Sequence, residues 1–145
     1  MSNLPLESPT ESHAESAIES PLDQPLVSII VNNYNYAQFL PQAVESALSQ
    51  AYQPIEVIVV DDGSTDNSRE IIEQYGDLIN AIFQENGKQA AALNTGFSAS
   101  IGEIVLFLDA DDYLLPGAIA QIVSSFQPGI GKVHFRLNVV DGNND

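Results

Sequence analysis

Basic residues are nearly missing from this chain: 4 Lys and Arg stand against 20 Asp and Glu, giving a net charge of −16 over 145 residues. That balance leaves no electropositive footprint for a phosphate backbone and argues against a nucleic-acid partner. An anionic small molecule meets the same repulsion unless a metal ion or backbone N–H groups intervene. Cysteine is absent, which excludes disulfides and thiolate metal sites. No apolar run reaches the roughly 18 residues of a membrane span. The first residues lack the basic-then-apolar pattern of a secretory signal. The sequence therefore reads as soluble and, by default, cytoplasmic. Two nucleotide motifs are missing as well. Without G-x-x-x-x-G-K-[ST] there is no P-loop, and without G-x-G-x-x-G after the first strand a dinucleotide site is not expected.

What is present suits one globular domain, with 44% hydrophobic residues. Residues 1–24 stand apart. They carry Glu7, Glu11, Glu15, Glu19 and Asp23 but no Lys or Arg. Apolar residues are too sparse there to offset the entropy of ordering, and Glu at every fourth position opposes a helix. A disordered acidic leader is expected over 1–24, with a partner-docking tail as the functional alternative, and a folded domain over 25–145.

From Leu26 the pattern alternates. Val27 to Val31 is β-branched and strand-like. A polar loop through Asn32, Asn33, Tyr34, Asn35 and Tyr36 leads to a helix over 37–50, with Phe39, Ala43, Val44, Ala47 and Leu48 at helical spacing. Strand 55–60 ends at Asp61 and Asp62. A helix over 67–75, with Ile71 and Ile72 inward, stops at Gly76. Strand 79–84, a loop 85–88 and helix 89–100 follow, with Ala91, Ala92 and Phe97 as candidate packing residues. Strand 104–108 comes next. Pro116 opens a helix carrying Ile119, Ile122, Val123 and Phe126, and 133–140 reads as a last strand. This alternation predicts an α/β fold: a mostly parallel, Rossmann-like sheet with helices on both faces.

The most informative stretch is Ile104-Val105-Leu106-Phe107-Leu108-Asp109-Ala110-Asp111-Asp112. Five apolar residues in a row predict a strand buried on both faces. The run then stops at three carboxylates, which repel and raise one another's pKa. A hard divalent ion such as Mg²⁺ or Mn²⁺, shared with substrate phosphates, relieves that repulsion. The plain alternative is a solvated turn that caps the next helix. Parallel strands bring the loops at 32–36, 61–64 and 109–112 to one sheet edge, where open α/β sheets bind ligands. An aromatic ring, a base-reading carboxylate and a metal-binding pair facing one crevice suit a nucleotide diphosphate. An aspartyl phosphatase with Asp109 as nucleophile lacks a suitable downstream lysine, since only Lys132 is available. A phospho-acceptor domain built on Asp61 and Asp62 fits the three-acid cluster poorly.

Three stretches carry a family resemblance. Pro25-Leu26-Val27-Ser28-Ile29-Ile30-Val31-Asn32-Asn33-Tyr34-Asn35, Ile58-Val59-Val60-Asp61-Asp62-Gly63-Ser64-Thr65-Asp66 and Gly102 to Asp112 resemble the inverting family-2 glycosyltransferases of GT-A fold. Gln89 to Gly96 is similar to that family's helix before the acidic strand, although many members have Arg where this chain has Leu93. Asn32 likewise stands where a small residue or Pro is common.

The resemblance implies a glycosyltransferase that uses a nucleotide-diphosphate sugar, favouring UDP, and Mn²⁺ or Mg²⁺ to glycosylate an unknown acceptor with inversion. Tyr34 would lie against the base and Asp62 would bond its edge. Asp109 and Asp111 would form the D-x-D pair, Asp109 toward ribose or sugar and Asp111 on the metal. Asn35, Asp61 and Asp112 would support them. Plainer readings stand beside these. Tyr34 is then a loop aromatic, Asp62 a helix cap, Lys88 a solvated loop lysine and His134 a packed or edge residue, while His13 has no role. The family's general base belongs to a later segment, and Asp141 and Asp145 match no such motif. The chain is therefore expected to be the N-terminal, donor-binding portion of a truncated enzyme, poor at transfer. Its uncovered surface would favour weak self-association. A non-catalytic nucleotide-sugar-binding module of the same fold is the competing class.

Overall fold

The structure, a computed structural model, describes residues 24–132. Nearly all of the acidic leader, the strand expected over 133–140, His13, His134, Asp141 and Asp145 lie outside the described residues.

Four parallel strands form one sheet in the order β3-β2-β1-β4. They are β1 (Val27–Asn33), β2 (Ile55–Asp61), β3 (Asn80–Phe83) and β4 (Ile104–Asp109). The helices are α1 (Leu40–Leu48), α2 (Ser68–Glu73), α3 (Lys88–Ala99) and α4 (Ala118–Ser125), with a 3₁₀ turn at Gly76–Leu78. The α/β class and the parallel sheet expected from the alternation are both present.

Strand alternation sorts the core onto two faces. Val27, Ile29 and Val31 of β1, Val57 and Val59 of β2, and Ile104, Leu106 and Leu108 of β4 point to one side. There they meet Leu40, Ala43, Val44 and Ala47 of α1, Ile72 of α2, and Ile119 and Ile122 of α4. Ile30, Ile58 and Val60 point to the other side, where Ala92 of α3 covers them. Helices thus flank both faces, three on one and one on the other. Each fully buried Ile or Val contributes about 1.5–3 kcal/mol, so β1 and the middle of β2 anchor the whole unit.

Some apolar residues depart from the expected pattern. Phe97 is 58% exposed and does not pack as its spacing suggested. Gly96 takes the packing position instead: a Cβ there would fall 2.3 Å from Ile30 Cγ2 and 3.3 Å from Val60 Cγ2. The absence of a side chain lets α3 approach the sheet closely, and the large ring next to it turns outward. Strand β4 is not buried on both faces either. Phe107 is 47% exposed: β4 is the last strand on its side among the described residues, and on that face Val105 rather than Phe107 packs against the cluster under α3. Helix α1 begins at Leu40, three residues later than expected, and Phe39 is its exposed N-cap. Helix α2 is shorter than expected, with Ile72 buried and Ile71 partly so.

Candidate functional site

Strand register fixes where the polar loops meet. Asn33 pairs across with Asp61, and Asn32 with Asp109. The carboxyl ends of β1, β2 and β4 therefore end level, and a cavity of about 680 Å³ opens over them. Tyr34, Asn35, Asp62, Asp109 and Asp111 all line it, as do Asn32, Asn33, Lys88 and Gln89. Asp61 and Asp112 do not line it; each sits beside a residue that does.

The end of β2 is held by hydrogen bonds. Asp61 Oδ1 accepts from Asn33 Nδ2 at 2.8 Å and from Ser64 Oγ at 2.7 Å, and Oδ2 accepts from the Ser64 amide at 3.0 Å. Three charge-assisted bonds satisfy a carboxylate that is 4% exposed. Gly63 makes the turn possible: its φ is +79°, and a Cβ would fall 2.7 Å from the Asn86 amide nitrogen. Asp62 turns the other way, where its Oδ1 accepts from the Gly87 amide at 2.8 Å and from Gln84 Nε2 at 2.9 Å. Its carbonyl accepts from Asn86 Nδ2 at 3.0 Å. No described donor reaches its Oδ2. Asp62 is not a helix cap: Asp66 Oδ1 takes the Ser68 amide at the start of α2.

The loop that carries Tyr34 is tied to the β2 loop. Asn35 adopts a left-handed backbone, φ 59°, and its Oδ1 accepts from the amides of Thr65 at 2.7 Å and Asp66 at 3.2 Å. The Asn35 amide donates to Ser64 Oγ at 2.9 Å, and the Ala37 amide to Asp66 Oδ2 at 3.0 Å. Partial burial pushes the Asp66 carboxyl up, but its bonds from Ser68 and Ala37 outweigh that and hold it below the ordinary carboxylate range. Tyr34 itself is 45% exposed, its ring free at the cavity rim.

The end of β4 is different. Carboxylate oxygens of Asp109, Asp111 and Asp112 all lie within 4.8 Å of one another. Among the described residues their one side-chain donor is Gln89, whose Nε2 is 3.1 Å from Asp109 Oδ1. Burial raises the Asp112 carboxyl above its ordinary value, and the neighbouring charges of Asp111 and Asp109 raise it further. The three do not cap α4, whose N-cap is Gly117 with no side-chain bond. Three oxygen donors converging without a counter-charge are the donor set that Mg²⁺ or Mn²⁺ takes. Lys88 is the only cationic residue lining the cavity among those described. Arg69 is engaged elsewhere, over the Phe83 ring at 4.0 Å and beside Glu73 at 3.7 Å. Lys132 lines a separate groove beside β4, so it cannot serve Asp109 as a phosphatase lysine.

Two buried acceptors in the same crevice, Asn32 Oδ1 and Asn33 Oδ1, have no partner among the described residues. Buried polar atoms in native proteins are usually bonded, so acceptors left open beside a cavity fit a ligand that brings N–H or O–H groups. Sequence reasoning gave no role to these oxygens, to Gln84, or to Gln89 as a partner of Asp109. Gln89 stands inside a quoted stretch, which was the one available signal.

This geometry agrees with comparisons to known proteins. Residues 28–133 match the model of glycosyl transferase family 2, and the chain belongs to that family. It is 48% identical over 123 residues to an uncharacterized glycosyltransferase of Nostoc sp., covering 81% of this chain and 38% of that protein. It is 36% identical over 125 residues to the glycosyltransferase GlyG of Streptococcus pneumoniae, covering 81% and 42%. Among solved structures, S. aureus TarS 1–349 in complex with UDP-GlcNAc superposes with a TM-score of 0.61 at 31% identity, covering 68% of this chain and 30% of that one. The mannosyltransferase PcManGT of Pyrobaculum calidifontis, in complex with GDP-Man and Mn²⁺, gives 0.66 at 26% identity, covering 84% and 40%. The fold is that of these GT-A enzymes. The chain spans about two fifths or less of the length of each of these relatives. No helix among the described residues is long and apolar enough to cross a membrane.

Proposed function

We propose that this chain forms the donor side of an inverting glycosyltransferase and binds a nucleotide-diphosphate sugar, with a UDP-sugar favoured, together with Mn²⁺ or Mg²⁺. The observation that carries the proposal is the single cavity shared by two unlike acidic ends: the uncompensated Asp109–Asp111–Asp112 cluster and the hydrogen-bonded Asp62 beside Tyr34. Asp111 and Asp109 would hold the ion, with Asp112 in support. Bound there, the ion would neutralise the diphosphate and the charge developing on the leaving group. Tyr34 offers a ring face to the base and Asp62 Oδ2 an acceptor to its edge. Asn35 and Asp61 hold those two in place.

The domain is taken as 25–145, with 1–24 a leader outside it, and a cytoplasmic setting belongs to the same proposal. No residue of this chain is assigned to the acceptor or as general base, and the part proposed for it is donor binding rather than full turnover. The exposed apolar rings of Phe97 and Phe107 would then favour weak self-association of the isolated chain.

A thermal-shift panel of nucleoside diphosphates and their sugars, each with Mn²⁺, Mg²⁺ or EDTA, tests the proposal. UDP or a UDP-sugar is expected to raise Tm only when metal is present; an equal shift in EDTA contradicts the metal role. Product formation with a panel of acceptors tests the donor-only part. Acceptor-dependent turnover in the usual enzyme range of about 1–10³ s⁻¹ would show that the chain is catalytically complete.

A further inference from the structure

Gln84 lies just past β3, half-buried and outside the lining of the cavity. Its Nε2 donates to Asp62 Oδ1 at 2.9 Å, and its Oε1 accepts from Thr95 Oγ1 of α3 at 2.6 Å. A threonine hydroxyl has one proton, and this contact is shorter than the 3.0 Å from Thr95 Oγ1 to the Ala91 carbonyl. Thr95 is itself held in place, because the adjacent Gly96 seats α3 against Ile30 and Val60. The chain of bonds therefore runs from a rigid helix–sheet contact, through an amide, to a carboxylate in the cavity wall.

Direction matters in this chain. With the Gln84 amide reversed, its oxygen would face a carboxylate oxygen, acceptor against acceptor. In the observed direction the amide N–H donates to the Asp62 carboxylate. Two donors then occupy Oδ1, from Gln84 and from the Gly87 amide, and Oδ2 is left to the cavity. An ionised carboxylate only accepts. It welcomes a base edge that carries a ring N–H, as uracil and guanine do. It repels the bare ring nitrogen that cytosine and adenine present at the same place.

We propose that Gln84, oriented by Thr95, is a positioning residue for nucleobase selection, engaging Asp62 Oδ1 so that Oδ2 is turned to the ligand and bases with a ring N–H are preferred. The inference rests on the reading of Asp62 as the base-edge carboxylate. Residues acting behind a ligand-contacting group typically contribute about 10–100-fold in affinity.

The test is calorimetry of UDP and of CDP against the full 145-residue chain in saturating Mn²⁺, with Mn²⁺ binding measured alone in parallel. Wild type is expected to prefer UDP. Gln84→Leu should weaken UDP binding about tenfold and lower the UDP-to-CDP preference by a similar factor, with Mn²⁺ affinity unchanged. Thr95→Val should move both readouts the same way, and Thr95→Ser should restore them. In an Asp62→Ala background Gln84→Leu should have no further effect. If Asp62→Ala keeps the preference for UDP, the reading of Asp62 falls and this proposal with it. If Asp62→Ala loses the preference while Gln84→Leu and Thr95→Val keep it, the proposal alone is overturned. A Gln84→Leu loss that adds fully to Asp62→Ala also overturns it.

Discussion

The two acidic strand ends carry nearly the same residues and meet opposite fates. After β2, Asp61, Asp62 and Asp66 each accept two or three hydrogen bonds from their own chain. After β4, Asp109, Asp111 and Asp112 face one another, with Gln89 as their one side-chain donor among the described residues. The first group is largely satisfied by the protein itself: its charges fix a turn, a loop and one carboxylate orientation, and Asp62 Oδ2 alone is left without a donor among the described residues. The second lacks such donors, and it is the end proposed to take a cation. A cluster of acids is therefore not a metal site by composition. What separates the two ends is whether backbone amides and side-chain donors have already claimed the oxygens.

Helix α3 serves both ends, since Thr95 steadies the Gln84–Asp62 bond and Gln89 reaches Asp109. The most damaging change should therefore be one that lifts α3. Gly96→Val places a branched side chain against Ile30 and Val60, and overpacking of this kind costs about 1–3 kcal/mol. Chemical denaturation should show that loss, and binding of both UDP and Mn²⁺ should weaken together. A Gly96→Val chain as stable as wild type would mean that α3 does not need its close seat.

Breaking the finished end alone should come next. Asp61→Ala removes the acceptor of the Ser64 hydroxyl and the Ser64 amide and leaves the buried Asn33 amide nitrogen only its 3.2 Å bond to Ser64 Oγ, at a cost of about 1–3 kcal/mol. Denaturant melts check this, and Mn²⁺ binding should be retained. At the unfinished end the same chemistry should have the reverse sense. Asp111→Asn removes one of three repelling charges, so the metal-free chain should change by no more than about 0.5 kcal/mol and toward greater stability. The rise in Tm that Mn²⁺ gives wild type should largely vanish. A strongly destabilised Asp111→Asn would show that this carboxylate is structural after all.

The smallest effects concern pH, and the two ends should differ in sign. Asp66 has a lowered pKa. Its stabilisation is present above the ordinary carboxylate value and is lost as pH falls through its lower folded value. Asp112 has a raised pKa. Its favourable contribution is present below the ordinary value and is lost as pH rises through its higher folded value. Asp66→Asn should therefore flatten the acid limb of a Tm-versus-pH curve. Asp112→Asn should flatten the limb just above the carboxylate range, and Mn²⁺ should abolish that limb in wild type. Curves of unchanged shape would contradict both assignments.

Much of this arrangement was legible in the sequence. Apolar runs of β-branched residues marked β1 and β2, and their polar ends marked the cavity rim, because parallel strands bring those ends level. The loops 32–36, 61–64 and 109–112 followed from that placement, and the choice of Tyr34, Asn35, Asp62, Asp109 and Asp111 within them from the family resemblance. The donors behind the carboxylates were not legible. Gln84 and Asp62 are 22 residues apart, and Gln89 and Asp109 are 20 apart, so only the closed fold reveals that an amide meets a carboxylate. Periodicity also favoured large apolar residues as packing groups, and so it picked Phe97, whereas the tight contact of α3 depends on the missing side chain of Gly96. Phe107 was expected inside because an apolar run does not tell which side of the sheet lacks a covering element.

The comparison of the two ends is tested most directly by titrating Mn²⁺, and then UDP in saturating Mn²⁺, into Asp62→Ala and Asp111→Asn side by side. Asp62→Ala should bind Mn²⁺ as wild type does and lose affinity for UDP. Asp111→Asn should lose affinity for Mn²⁺ itself by more than the about 10–100-fold typical of residues behind a ligand. An Asp62→Ala chain that loses Mn²⁺ but keeps UDP, beside an Asp111→Asn chain that keeps Mn²⁺, would show that the two ends have the opposite roles.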